Sequence, residues 1–210
     1  MPHHQPFQVT GFHSCDREVG LKVLNGNIDL KPSTNAWDWL GEGIYFWEQN
    51  PKRSLEYAVE SSTKVQFNKI PIKTPFVLGA VIELGNCLNL MEPESLSILK
   101  EAYKGLEAYC KQAGQDMPQN DENNRRLDCA VIRYVHQARR LNNEKQYDSI
   151  RCAFTEGDPV YPGTTLTSRG HIQVCVLNDE LITAYFLPRP IAAFNPYLNL
   201  KDNPFVSTEK

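Results

Sequence analysis

The chain has no long apolar run: nowhere do its apolar residues approach the roughly 20 in succession that a membrane-spanning helix requires. No membrane partner is therefore expected. Neither charge is in excess, with 22 Lys and Arg against 25 Asp and Glu and a formal net charge of −3. No global field then draws the chain to nucleic acid or anionic lipid, although a local basic face fits the same balance. Cys/His ligand pairs of zinc-site spacing are missing too, because Cys15, Cys87, Cys110, Cys129, Cys152 and Cys175 lie far apart. No metal is expected, and the thiols read as reduced and mostly buried. Repeats and low-complexity tracts are also absent. Met1 to Phe7 is polar and proline-containing, unlike a secretory signal, so the expected compartment is cytoplasmic.

What is present suffices for one packed domain. At 210 residues and 41% hydrophobic, the chain can bury a core without staples, and roughly 150 residues per domain predicts a single unit over 1–210. Phe7 to His13 alternates like a half-buried strand, and Asp16 is placed to cap a helix through Leu24 that Gly26 stops. Asn27 to Leu40, with Trp37 and Trp39, reads as an ordered loop crossing a pocket. Gly43 to Trp47 is a short strand, Asn50-Pro51 starts a helix, and Pro75 to Leu84 has the continuous apolar character of a buried strand. Helical spacing returns over Pro93 to Ala113 and Leu127 to Leu141, joined by the polar loop Gly114 to Asn124. Ser149 to Phe154, His171 to Leu177 and Leu181 to Phe186 are further strands. Strands at both ends of a helical middle define an α+β class.

Three motifs occur in order: Phe12-His13-Ser14-Cys15, then Gly41-Glu-Gly43-Ile-Tyr45-Phe46, then Ser54-Leu-Glu-Tyr57. Together they resemble those of the poly(ADP-ribose) polymerase-like, diphtheria-toxin-type ADP-ribosyltransferases. The resemblance covers about the first ninety residues and resumes near His171 to Tyr185. It implies a split β-sheet around an NAD⁺ cleft, with a helical insertion at about 93–145. It also implies that His13 holds a ribose hydroxyl of the adenosine half and that main-chain groups beside it, at Ser14, clamp the carboxamide. Tyr45 and Tyr57 would sandwich the nicotinamide ring, with Gly43 and Ser54 in the same pocket. Glu156 to Pro162 and His171 to Val176 also resemble stretches of uncharacterised bacterial proteins of similar length, a likeness that carries no function.

The sequence departs from the family at the catalytic glutamate, whose position falls near His171 to Gln173. On a strand, His171, Gln173 and Cys175 share a face, which makes Gln173 the site-facing candidate. An amide orients a hydroxyl but supplies no full charge. Glu156 on the preceding loop is one repair, and a base brought by the target is the other. The implied activity is mono-ADP-ribosyl transfer from NAD⁺, as substrate, to a protein or nucleic-acid acceptor, in a toxin, phage-defence effector or regulatory modifier. A toxin would have a neutralising antitoxin partner. NAD⁺ glycohydrolysis and non-catalytic NAD⁺ or ADP-ribose binding are the alternatives. For Trp37, Trp39 and Trp47 the expected place is the core, and Arg125-Arg126 and Arg139-Arg140 read as solvated helix faces.

Overall fold

The computed structural model describes residues 7–63, 72–121 and 124–198. The polar start at 1–6 and two residues of the 114–124 loop lie outside them. Among the described residues, seven strands form one sheet: β1 (Gln8–Asp16), β2 (Ile44–Glu48), β3 (Pro75–Glu83), β4 (Cys87–Asn89), β5 (Ser149–Phe154), β6 (His171–Val176) and β7 (Ile182–Phe186). Their order is β4-β5-β6-β2-β1-β3-β7, antiparallel throughout except for the parallel β4/β5 pair. The class is α+β, as strands at both ends of a helical middle predict.

Helix α1 (Arg17–Leu24) begins where expected, with the Asp16 carboxylate accepting from the backbone N–H of Glu18. Gly20 lets it lie against the sheet, because a Cβ there would stand 2.3 Å from the Phe76 ring. The face under α1 is the main core, with Phe46, Phe76, Leu78, Ile82 and Val174 buried. Helix α2 (Pro51–Thr63) starts on Asn50, whose side-chain carbonyl accepts from the Arg53 N–H. It covers the opposite face over β1 and β3, burying Ser54 and Ala58.

The helical middle is a pair, α3 (Pro93–Ala113) and α4 (Arg126–Leu141), packed on each other through Ala102, Leu106, Val131 and Val135. Ile132 of α4 reaches the α2 side of the sheet, where Leu88, Ile150 and Cys175 form a second core. That face therefore carries α4 near β5 and α2 near β1. A short 3-10 turn (Asp179–Leu181) leads into β7, and α5 (Ile191–Phe194) follows it. All six cysteines are free thiols.

Candidate functional site

The site begins where two central strands part. β1 and β2 pair only at Gly11/Glu48 and Phe12/Trp47, whereas β1 pairs with β3 along its whole length. Just beyond Phe12, the His13 ring bridges the opening, its Nδ1 lying 2.8 Å from the Tyr45 carbonyl oxygen. A carbonyl only accepts, so Nδ1 carries the proton. Burial lowers the His13 pKa, against a smaller upward pull from that carbonyl. The neutral ring then presents Nε2 as a bare acceptor for a hydroxyl donor. Phe46 packs beside the ring, with centroids 5.6 Å apart.

Ser14 and Ser54 come together as a buried pair, the Ser14 hydroxyl donating to the Ser54 carbonyl at 2.5 Å with the two Oγ atoms 2.9 Å apart. They tie β1 to α2, which already occupies both hydroxyls. Tyr45 is anchored by its hydroxyl, which donates to the Gly41 carbonyl at 2.6 Å and accepts from the Leu40 N–H at 2.9 Å. Burial holds its phenol far above the ordinary range. Gly43 bridges to Ser33 and lies against β6, where a Cβ would stand 2.4 Å from Cys175 Sγ. Tyr57 is 42% exposed and rests on Trp47, with ring centroids 5.0 Å apart. The rings of Tyr45 and Tyr57 make no contact with each other.

Register places the other candidates. Trp47 stands opposite Gln173, and Gln173 opposite Cys152, so Phe12, Trp47, Gln173 and Cys152 share the α2 face. His13, one residue on from Phe12, points to the other face, on the far side of the opening. Gln173 is half-buried on the strip of sheet between α2 and α4. Glu156, on the loop after β5, reaches α2: Arg53 donates from Nη2 to its Oε2 at 2.9 Å. Glu156 Oε2 also lies 3.7 Å from Nδ1 of His171, which sits 2.8 Å from the Arg169 carbonyl. Burial lowers the His171 pKa, helped by Arg53 and opposed by that carbonyl and Glu156.

Three residues of this arrangement are absent from the sequence-based set: Arg53, His171 and Trp47. Arg53 is the turn-before neighbour of Tyr57 on α2, a spacing that puts both on one side of the helix. Nothing in sequence separates it from Lys52, which is exposed. Among the described residues, Arg53 Nε and Nη1, His171 Nε2 and Trp47 Nε1 are buried and have no hydrogen-bond partner. Each such atom costs about 1–3 kcal/mol when left unmet. The cluster joins spare N–H donors to one imidazole lone pair and one carboxylate, so it suits a group that both donates and accepts, such as a sugar hydroxyl. The tryptophans divide: Trp47 is core, but Trp37 is 37% exposed and Trp39 half-buried, which corrects the core expectation for them.

Among known proteins the chain is similar to an uncharacterized protein of Methanocaldococcus jannaschii, 25% identical over 92% of this chain and 94% of that protein. No protein-family model and no solved structure matches it.

Proposed function

We propose that the chain cleaves NAD⁺ between nicotinamide and ribose and transfers ADP-ribose to a macromolecular acceptor. The observation that carries this reading is the Arg53-held Glu156 carboxylate, set among unmet donors and one unmet acceptor on the face of Gln173 and Tyr57. A dinucleotide crossing the parted strands meets the His13 Nε2 lone pair at its adenosine ribose. Its nicotinamide ribose then lies by Gln173 and Glu156, with the nicotinamide ring near the exposed Tyr57 face. The C1′–N bond breaks, nicotinamide leaves with the bonding pair as a neutral ring, and positive charge grows on the ribose beside Glu156. The acceptor's nucleophile bonds C1′ and releases its proton to solvent. Gln173 orients a ribose hydroxyl.

The test is incubation of the purified chain with radiolabelled NAD⁺ and cell extract. Label on macromolecules is the expected result, lost in His13→Ala. Free ADP-ribose and nicotinamide alone would mean hydrolysis, and unchanged NAD⁺ would leave only a binding module.

A further inference from the structure

We propose that the acceptor is a single-stranded nucleic acid, guided to the site along a track of tryptophan and arginine between the α4 N-terminus and Glu156. The proposal rests on the transferase reading for its catalytic meaning, but its geometry stands apart from it. Arg125 and Arg126 enter α4 side by side. The Arg125 guanidinium lies 5.1 Å from the Trp39 ring centroid, and that of Arg126 lies 5.9 Å from the Trp37 centroid. Neither arginine has a carboxylate partner among the described residues, whereas Arg133, one helical stretch on, is consumed by Glu42 and by the Thr34 and Asn35 carbonyls.

The aromatic row continues inward. Trp39 meets Phe154 edge-on at 4.7 Å, and Phe154 lies against His171 at 5.8 Å, whose Nδ1 is 3.7 Å from Glu156. The loop bearing the tryptophans is held firmly: Asp38 accepts from the Ser33 hydroxyl and the Asn35 N–H, and the Trp37 carbonyl accepts from the Arg125 N–H. These bonds fix both rings' backbone to the α4 N-terminus and to the loop itself.

Each guanidinium lies over its tryptophan ring, and the pair matches a strand whose bases stack on the exposed part of the rings while its phosphates meet the guanidinium N–H groups. A duplex hides its base faces, and an acidic peptide would engage the arginines while leaving the aromatic row uncovered. Asp38, between the two tryptophans and occupied by Ser33 and Asn35, and Asp128, in the first turn of α4, are opposing charges nearby. Binding through phosphates should weaken with salt, because each phosphate neutralised by an arginine releases its counterions.

Fluorescence anisotropy of labelled single-stranded RNA and DNA 12-mers against the full chain, without NAD⁺, over about 50–300 mM salt tests this. We expect saturable binding of one or both, weakened roughly tenfold or more in Trp37→Ala/Trp39→Ala, each stacked base contributing on this order. In Arg125→Ala/Arg126→Ala the log–log salt slope should become shallower by about 1.4, or about 0.7 per lost phosphate contact. Comparison of the RNA and DNA arms identifies the acceptor class, and retained circular dichroism melts certify folding. Failure to bind either strand, equal binding of polyglutamate, or binding unchanged in both folded double variants would overturn the proposal. Because this assay needs no NAD⁺, oligonucleotide binding by a chain that transfers no label in the separate NAD⁺ incubation would count against the transferase reading alone. Label on protein with no strand binding would sink this inference alone.

Discussion

Arg53 brings a guanidinium with five N–H donors into the interior, where Nη2 has the Glu156 carboxylate while Nε and Nη1 are unmet. The pair is lopsided, Arg53 being 6% exposed and Glu156 32%. Removing the Glu156 charge alone leaves a buried cation uncompensated, a loss of about 3–5 kcal/mol where the pair is fully buried and less with the solvent access seen here. Glu156→Gln should therefore lose both stability and turnover, with kcat falling on the order of 10²–10³-fold and NAD⁺ affinity nearly unchanged. The double variant Arg53→Gln/Glu156→Gln should recover part of the stability and none of the turnover. Thermal melts beside single-turnover kinetics separate these effects, and turnover restored in the double variant would show that Glu156 serves the fold only. Gln173→Ala should cost turnover as well, but less than Glu156→Gln, because it removes an orienting amide and leaves the charge in place. The reverse ranking would return the missing-glutamate role to Gln173.

At the scale of elements, much of the fold is legible because the signals are local. The Asp16 cap, the Asn50 cap and the helical spacing of Pro93 to Ala113 involve neighbours in sequence, and each marks an observed boundary. Alternation placed Gln173 and Cys175 on one face, as the β2/β6 register has it. What was illegible lies between distant elements. Arg53 meets Glu156 across 103 positions, and no pattern around Arg53 announces that pairing. Trp37 has the residue type of a core and the surroundings of a surface, a difference set by where α4 docks. The loop 27–40 was legible as ordered but not as an anchor for Tyr45, since the grip on the phenol is two backbone atoms, Leu40 N and the adjoining Gly41 O. Gly43 follows, with φ of 153° and Cys175 Sγ and the Val176 carbonyl in the space a Cβ would fill. Gly43→Ala should lower stability by about 1–3 kcal/mol through overpacking, and weaken NAD⁺ binding by displacing Tyr45. A urea midpoint equal to that of the parent chain would mean that β6 yields to the methyl group.

At the scale of the whole molecule, burial biases the three histidines among the described residues towards the neutral form. Burial lowers the pKa of His13, of His171 and of His136, the last to about 4 with Arg140 and Arg139 adding to the effect and Glu42 opposing it. In the unfolded chain each titrates near the ordinary value of about 6.5. Between those values the unfolded state binds more protons than the native one, so stability rises with pH across the window and falls as pH drops through it. The contribution is intact above about pH 6.5, and for His136 it is lost progressively down to about pH 4. The ordinary carboxylates titrate near pH 4, so the upper part of the window belongs to the histidines. Urea unfolding at about pH 7.5, 6.5, 5.5 and 5 should show the midpoint falling at each step below 6.5, the unfolding free energy dropping by on the order of 1–3 kcal/mol in all from His136. His136→Gln, a neutral side chain that cannot gain the proton, should flatten the profile without lowering the value at pH 7.5 by more than about 1 kcal/mol. His13→Ala should flatten it as well while abolishing NAD⁺ binding, which His136→Gln should leave intact. A midpoint that stays level from pH 7.5 to 5 in the parent chain would show these rings exposed to water often enough to protonate in the native state, and would remove the neutral His13 on which ribose recognition depends.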